Sequence, residues 1–146
     1  MRAPLQVLVI PYKIENGIPF YCVMHRADAD WWQFIAGGGE DSETPIETAK
    51  RETFEESGIE TDCIFRLTAM SYVPANCISE RHRKNWPVNT YVLPEYFFAF
   101  ETSDEIKLSH EHTEYKWVTF YEAESLLHWQ TNVVAMYELK CRLEMR

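Results

Sequence analysis

Residues 37–59 run Gly37-Gly38-Gly39-Glu40-Asp41-Ser42-Glu43-Thr44-Pro45-Ile46-Glu47-Thr48-Ala49-Lys50-Arg51-Glu52-Thr53-Phe54-Glu55-Glu56-Ser57-Gly58-Ile59. Three consecutive glycines predict a loop. Thr44 then suits an N-cap, Pro45 suits the first helical position, and Glu47 completes a capping box. Gly58 is placed to end the helix at C′. Ile46, Ala49 and Thr53 recur at helical spacing and form its packed face. Glu52, Glu55 and Glu56 fall at i, i+3 and i+4, so they share an arc of about 100° beside that face.

That arc breaks a local rule. Like charges at these spacings cost about 0.2–0.5 kcal/mol per pair. Glu55 and Glu56 also sit at the negative end of the helix dipole. The acidity is concentrated here: residues 40–60 carry eight acids against Lys50 and Arg51, a net −6 of the chain's −9. Two readings stand at this point: an ordinary solvated acidic face, and a site where a divalent cation turns repulsion into ligation.

Outward from the helix, Leu5–Tyr12 reads as a buried strand, Glu15-Asn16-Gly17 as a turn, and Phe20–Arg26 as the hairpin partner. Trp31–Ala36 is a short apolar run leading into the glycines. Asp62–Val73 reads as one or two strands, Pro74–Pro87 as a polar loop, and Thr90–Glu101 as a strand in which Pro94 marks a bulge or an edge. A loop over Ser103–Thr113 precedes a strand over Glu114–Phe120. Glu122–Leu127 reads as a short helix, and Val133–Leu143 as a second long helix with Asn132 as N-cap. Strands on both sides of one central helix, with another helix at the end, imply a mixed α/β (α+β) domain spanning 1–146.

At 146 residues and 46% apolar, the chain suits one domain with its own core. An acidic protein does not hold nucleic-acid polymers by general electrostatics. No apolar run approaches the ~18 residues of a membrane span, and residues 1–12 lack a signal-peptide layout, so a cytoplasmic protein is expected. Cys22, Cys63, Cys77 and Cys141 form no CxxC pair; a zinc ribbon is excluded, and buried or half-buried free thiols are expected.

The spacing Gly37, five residues, Glu43, seven residues, Arg51-Glu52-Thr53-Phe54-Glu55-Glu56-Ser57-Gly58-Ile59 resembles the Nudix box, Gly-x5-Glu-x7-Arg-Glu-U-x-Glu-Glu-x-Gly-U, with U usually a bulky aliphatic. Eight of its nine fixed positions match; Thr53 departs, keeping a β-branched shape at the expense of a buried hydroxyl that can back-bond within the helix. The resemblance implies a loop–helix–loop on a mixed sheet sandwiched between helices and a hydrolase acting on a nucleoside diphosphate linked to another group, with Mg²⁺ or Mn²⁺ as cofactor. Carried over by position, Glu52, Glu55 and Glu56 are metal carboxylates and catalytic groups, Arg51 pairs with Glu43 to pin the loop, and Gly37 lets backbone approach the metal. Gly37, Glu43, Arg51 and Gly58 are the structural members of the box.

Beyond the box, Pro4–Tyr12, Asp30-Trp31-Trp32-Gln33, Arg81-His82-Arg83 and residues 110–117 are similar to the bacterial dihydroneopterin triphosphate pyrophosphatases, also described as dATP pyrophosphohydrolases. That likeness implies cleavage of a nucleoside or pterin triphosphate to monophosphate and pyrophosphate. It also places Glu111, just before Tyr115-Lys116-Trp117, as a distant metal carboxylate or proton acceptor, with Glu114 as the competing position. Other Nudix substrates (ADP-ribose, a dinucleotide, an oxidised nucleotide) and a non-catalytic nucleotide-binding module remain alternatives, and the chain is expected to be a monomer or homodimer.

Arg81, Arg83 and Lys84 are candidates to meet distal phosphates, with Arg2, Arg26, His25 and Gln130 as further substrate-binding candidates. Trp31, Trp32 and Trp129 either stack on a ring or pack the core. His110 and His112 flank Glu111, and no third ligand at suitable spacing makes them a zinc site.

Overall fold

The structure, a computed structural model, describes residues 1–144. The run LQVLVIPY lies within β1 (Arg2–Glu15). Val7 to Tyr12 are buried at every position rather than at alternate ones, which marks a strand covered on both faces. The hairpin turn forms as its residues predict, with Asn16 at φ 52° and Gly17 at φ 78°, a pairing of left-handed residues whose twist suits two-residue hairpins. β2 (Ile18–Arg26) returns antiparallel to the second half of β1. β3 (Trp32–Gln33) and β4 (Ile35–Glu40) follow, and β4 pairs with the first half of β1.

β5 (Phe65–Pro74) and β6 (Val92–Glu101) are antiparallel partners, and β6 runs parallel to β1 along its other edge. β7 (His112–Val118) pairs with β2. The sheet order is β3-β2-β1-β6-β5, with β4 and β7 added through β1 and β2. Pro94 lies opposite Tyr72 of β5, and pairing with β1 starts only at Glu95. The proline thus sits where β6 has one neighbour, the edge position expected of it.

α1 (Pro45–Ser57) covers one face, and its core holds Val7, Val9, Ile35, Ala49 and Phe98. α3 (Phe120–Leu126) and α4 (Gln130–Glu144) cover the other, over Leu8, Ile10, Tyr12, Phe34 and Phe97. Alternate residues of β1 therefore feed two cores, the mixed sheet between helices that the sequence implies.

Several boundaries differ from expectation. Gly37–Gly39 are not a loop but the body of β4, paired through Val7 and Gln6. The Pro74–Pro87 segment holds a 3-10 turn at Ala75–Cys77 and the short α2 (Glu80–Arg83). β7 starts two residues early, at His112, and stops at Val118, because Thr119 and Glu122 form a capping box that opens α3. α4 starts at Gln130, so Asn132 is not its cap; that side chain is buried and accepts the Phe34 N–H at 3.1 Å. Cys63 and Cys77 are exposed rather than buried. Among the described residues no helix is long and apolar enough to cross a membrane.

Candidate active site

α1 is capped as its sequence dictates. The Thr44 side chain and Glu47 form the reciprocal box, and Gly58 closes the helix at φ 75°. Two turns in from the cap, Arg51 gathers the surrounding acids. Its Nε donates to Glu43 Oε2 at 2.8 Å, and its Nη2 donates to Glu43 Oε1 at 3.0 Å and to the Gly38 carbonyl at 2.8 Å. Glu43 also accepts from Glu40 N–H and the Thr48 hydroxyl. These bonds, Arg51 foremost, pull the Glu43 carboxyl down to about 2. The arginine thus ties β4 to α1. Thr53 is fully buried, and its hydroxyl makes no hydrogen bond; the back-bond available to it is made instead by Ser57, whose hydroxyl donates to the Thr53 carbonyl.

The three helix carboxylates part ways. Glu52 and Glu56 are 8% and 1% exposed, whereas Glu55 is exposed and accepts from Arg51 Nη1 at 3.3 Å. Arg51 Nη1 also donates to Glu52 Oε1 at 2.9 Å. Both oxygens of Glu56 are buried, and apart from the neighbouring Glu52 carboxyl no side chain lies within hydrogen-bond reach of them. Burial first, then the neighbouring Glu52 carboxyl, pushes Glu56 well above the ordinary carboxylate range. Glu52 is raised too, again chiefly by burial. Two acids at one buried place hold a proton between them because both cannot ionise unaided.

His112, which the sequence offers only as an incomplete zinc pair with His110, stands at the start of β7 and is buried against this pair. Its Nδ1 stands 3.7 Å from Glu56 Oε1, and its Nε2 lies 3.4 Å from Gln33 Nε2. Burial, helped by the charge of Arg26, lowers its imidazole to about 4, so a neutral ring faces the acid. Glu111 precedes it, exposed, in a turn whose backbone carbonyl accepts from Ala27 N–H at 2.9 Å. Its charge is felt by both Glu56 and Arg26.

One cavity opens on this centre, and a second lies beyond Gln33, which touches His112. The first, about 350 Å³, is lined by Arg2, Gly38, Glu40, Glu52 and His82. Arg2 packs over the Gly38 backbone, where a Cβ would collide with its guanidinium, and donates to Gln6 at 2.6 Å. The second, about 370 Å³, is walled by Trp31, Trp129, Tyr72 and Ile78 and also reached by Gln6, Arg26, Gln33 and Glu95. Gln6 and Gln33 thus stand between the carboxylates and an aromatic pocket.

The remaining candidates divide. Arg26 reaches the second cavity, held by Asp28 at 2.6 and 2.9 Å. His25 is taken up by Asp30, Thr113 and the Trp32 edge, outside both cavities. Arg83 and Lys84 line a separate cleft beside Trp86 and Pro87, with Arg83 donating to the Ile78 carbonyl. Arg81 is exposed next to His82, and that histidine is the α2 residue that enters the first cavity. Gln130 is exposed and lines neither, although Trp129 and Thr131 on either side of it line the second. Trp31 stacks on His128 at 4.1 Å and meets Trp129 edge-on, while Trp32 packs against His25 and Lys116.

A hard divalent cation fits the Glu52–Glu56 centre. Its donors are all oxygen, the Glu56 oxygens are buried and unpartnered, and Gly37 leaves the room, since a Cβ there would fall on the Glu52 carboxyl. Among the described residues no three acidic, His or Cys side chains are yet grouped closely enough to hold an ion; Glu55 would have to turn from Arg51 to join the other two.

A mixed sheet between helices, with a glycine-flanked acidic helix over its β4–β1 junction, defines the hydrolases of the Nudix class. The chain belongs to that family: the NUDIX domain model matches residues 4–138. It is similar to the dihydroneopterin triphosphate diphosphatase of Haemophilus influenzae, 30% identical over 135 residues covering 89% of this chain and 83% of that protein. It superposes on a Nudix hydrolase structure from Listeria monocytogenes with TM-score 0.86 at 44% identity, covering 98% of this chain and 96% of that one. The dihydroneopterin triphosphate pyrophosphohydrolase of Escherichia coli shares the fold at TM-score 0.74 and 22% identity, over 95% and 97% of the two chains. The chain is a Nudix hydrolase.

Proposed function

We propose that the chain is an Mg²⁺- or Mn²⁺-dependent pyrophosphohydrolase that cuts a nucleoside or pterin triphosphate to its monophosphate and pyrophosphate. The observation that carries this reading is the buried Glu52–Glu56 pair, with no cationic or donor side chain bonded to Glu56, on the wall of a cavity that holds an arginine. A triphosphate and an acidic centre repel each other unless a cation lies between them. Glu52 and Glu56 would hold that cation, joined by Glu55 and Glu111. When bound, it neutralises phosphate charge and makes the attacking water more acidic.

The chain's own groups do the rest. Arg2 lies where the phosphates would cross the first cavity, and the ring would enter between Trp31 and Trp129. Neutral His112 packs beside the Glu56 carboxyl, 3.7 Å away, without competing for it as a cation would. Water oxygen bonds to phosphorus, the anhydride bond breaks towards pyrophosphate, and one water proton passes to a carboxylate, for which Glu52 and Glu111 are the candidates. The test is a panel of nucleoside triphosphates, dihydroneopterin triphosphate, ADP-ribose and dinucleotides, followed by phosphate release with Mg²⁺ and after chelation. Cation-dependent cleavage of a triphosphate is expected. Hydrolysis confined to ADP-ribose or dinucleotides, or none of any substrate, would overturn the reading.

A further inference from the structure

Glu95 is a second buried acid that the chemistry above leaves unused. It sits on β6 beside Gln6 of β1, on the wall of the aromatic cavity. The residue is 6% exposed, and its Oε1 is buried with no hydrogen-bond partner. Among the described residues no arginine, lysine or histidine is paired with it, and burial pushes its carboxyl up to about 7, a shift the Thr131 hydroxyl only partly offsets. A carboxyl kept in an apolar wall with one oxygen unpartnered is costly to the fold, and such a cost is expected where a ligand supplies the missing donor.

Its neighbours narrow which donors. Asn132 lines the same cavity, and its carboxamide oxygen is held by Phe34 N–H, which leaves its NH₂ side to donate. The Trp31 indole N–H is likewise buried and unpartnered. The pocket therefore offers one acidic acceptor with two oxygens, an amide donor near it, and aromatic walls for a flat ring. A ring with an N–H and an NH₂ side by side satisfies both carboxylate oxygens, and a carbonyl next to that N–H suits the amide donor. Guanine and pterin present that edge. Adenine presents one donor beside a ring acceptor, whose lone pair faces the ionised carboxylate at pH 8, the pH at which the pocket is probed.

We infer that Glu95 reads the heterocycle, selecting a 2-amino-4-oxopyrimidine ring, the edge shared by guanine and pterin, over adenine. This rests on the triphosphate reading for its biological meaning, but not for its test, because free nucleosides probe the pocket without hydrolysis.

The experiment titrates the full chain at pH 8 with guanosine, neopterin and adenosine, following tryptophan fluorescence from Trp31 and Trp129, for wild type and Glu95→Gln. In parallel, KM and kcat are measured for dGTP, dihydroneopterin triphosphate and dATP with Mg²⁺. Wild type is expected to bind guanosine and neopterin at least ~10-fold more tightly than adenosine, with the same order in KM. Glu95→Gln should erase that preference by raising KM for the 2-amino-4-oxo substrates, leaving kcat and the adenine values within about threefold. Equal affinity of wild type for guanosine and adenosine would overturn the inference even if the variant failed to fold. Survival of the preference in a folded Glu95→Gln protein would overturn it as well. A guanosine preference lost in Glu95→Gln, with no triphosphate hydrolysed by either protein, would sustain the role of Glu95 and remove the triphosphate reading. Triphosphate hydrolysis indifferent to the ring would do the reverse.

Discussion

Glu43 and Glu95 hold their protons in opposite ways, and each leaves a mark on stability. Arg51 lowers the Glu43 carboxyl to about 2 in the folded protein, from about 4.5 when free. Folding then binds fewer protons there, so its contribution is present above pH 4.5 and is lost as pH falls towards 2. Glu95 is raised to about 7, so its contribution is greatest below pH 4.5 and fades as pH climbs through 7. Melting curves should separate the two. Glu43→Gln is expected to lower stability at pH 7 by about 1 kcal/mol, roughly 2–4 °C in Tm, and by less at pH 3. Glu95→Gln should melt at or above wild type at pH 8 and lose that advantage near pH 4.5. Activity follows a different order. Glu56→Gln and Glu52→Gln are expected to cut kcat at least ~10²-fold while the protein still melts cooperatively, and Glu43→Gln much less. If Glu43→Gln were the most damaging of the three in a steady-state assay, the centre would have been placed on the wrong side of Arg51.

α1 and β4 work as a pair, and glycine is what lets them approach. A methyl at Gly37 would fall on the Glu52 carboxyl, so Gly37→Ala should depress kcat far more than Tm. Gly58 holds a left-handed φ of 75° against the Lys107 side chain. Gly58→Ala should therefore cost about 1–2 kcal/mol of stability with kcat at 25 °C little changed. Equal losses of Tm in the two variants would deny Gly37 its particular relation to the site. The helix was legible in the sequence because its caps and periodicity are local signals. The glycine strand was not, because glycine disfavours strands in general, and its presence here answers Glu52 and Arg2, which arrive from elsewhere in the chain. The start of α4 was misjudged for a related reason: Asn132 has the composition of a cap, but its oxygen is taken by Phe34 on the neighbouring sheet.

The sheet brings residues from across the chain to one place, and that assembly divides what the sequence revealed from what it withheld. Glu52, Glu55, Glu56, Glu43 and Arg51 lie within one helix and its approach, so their spacing was readable. The aromatic cavity draws on Gln6, Trp31, Tyr72, Glu95 and Trp129, five separate segments, of which the parallel β1–β6 pairing joins Gln6 to Glu95 and the β5–β6 pairing brings in Tyr72. The sequence offers His112 only as a zinc ligand, because a strand begun at Glu114 leaves it in a loop and hides its burial beside Glu56. A cation held only by the folded centre stabilises the whole molecule by mass action, so Tm should rise with added Mg²⁺ or Mn²⁺ in wild type and much less in Glu56→Gln. Glu111→Ala should slow turnover at least ~10²-fold if that turn supplies a ligand or the proton acceptor, and near-normal rates there with collapse in Glu114→Ala would move the role three residues on. The most direct test of a pyrophosphohydrolase centred on Glu52 and Glu56 is the first product of triphosphate turnover in ¹⁸O-labelled water with Mg²⁺. The expected result is monophosphate and pyrophosphate in equal amounts, label in one of the two, and no turnover after chelation. Orthophosphate as the primary product, or undiminished turnover in the chelated protein or in Glu56→Gln, would contradict it.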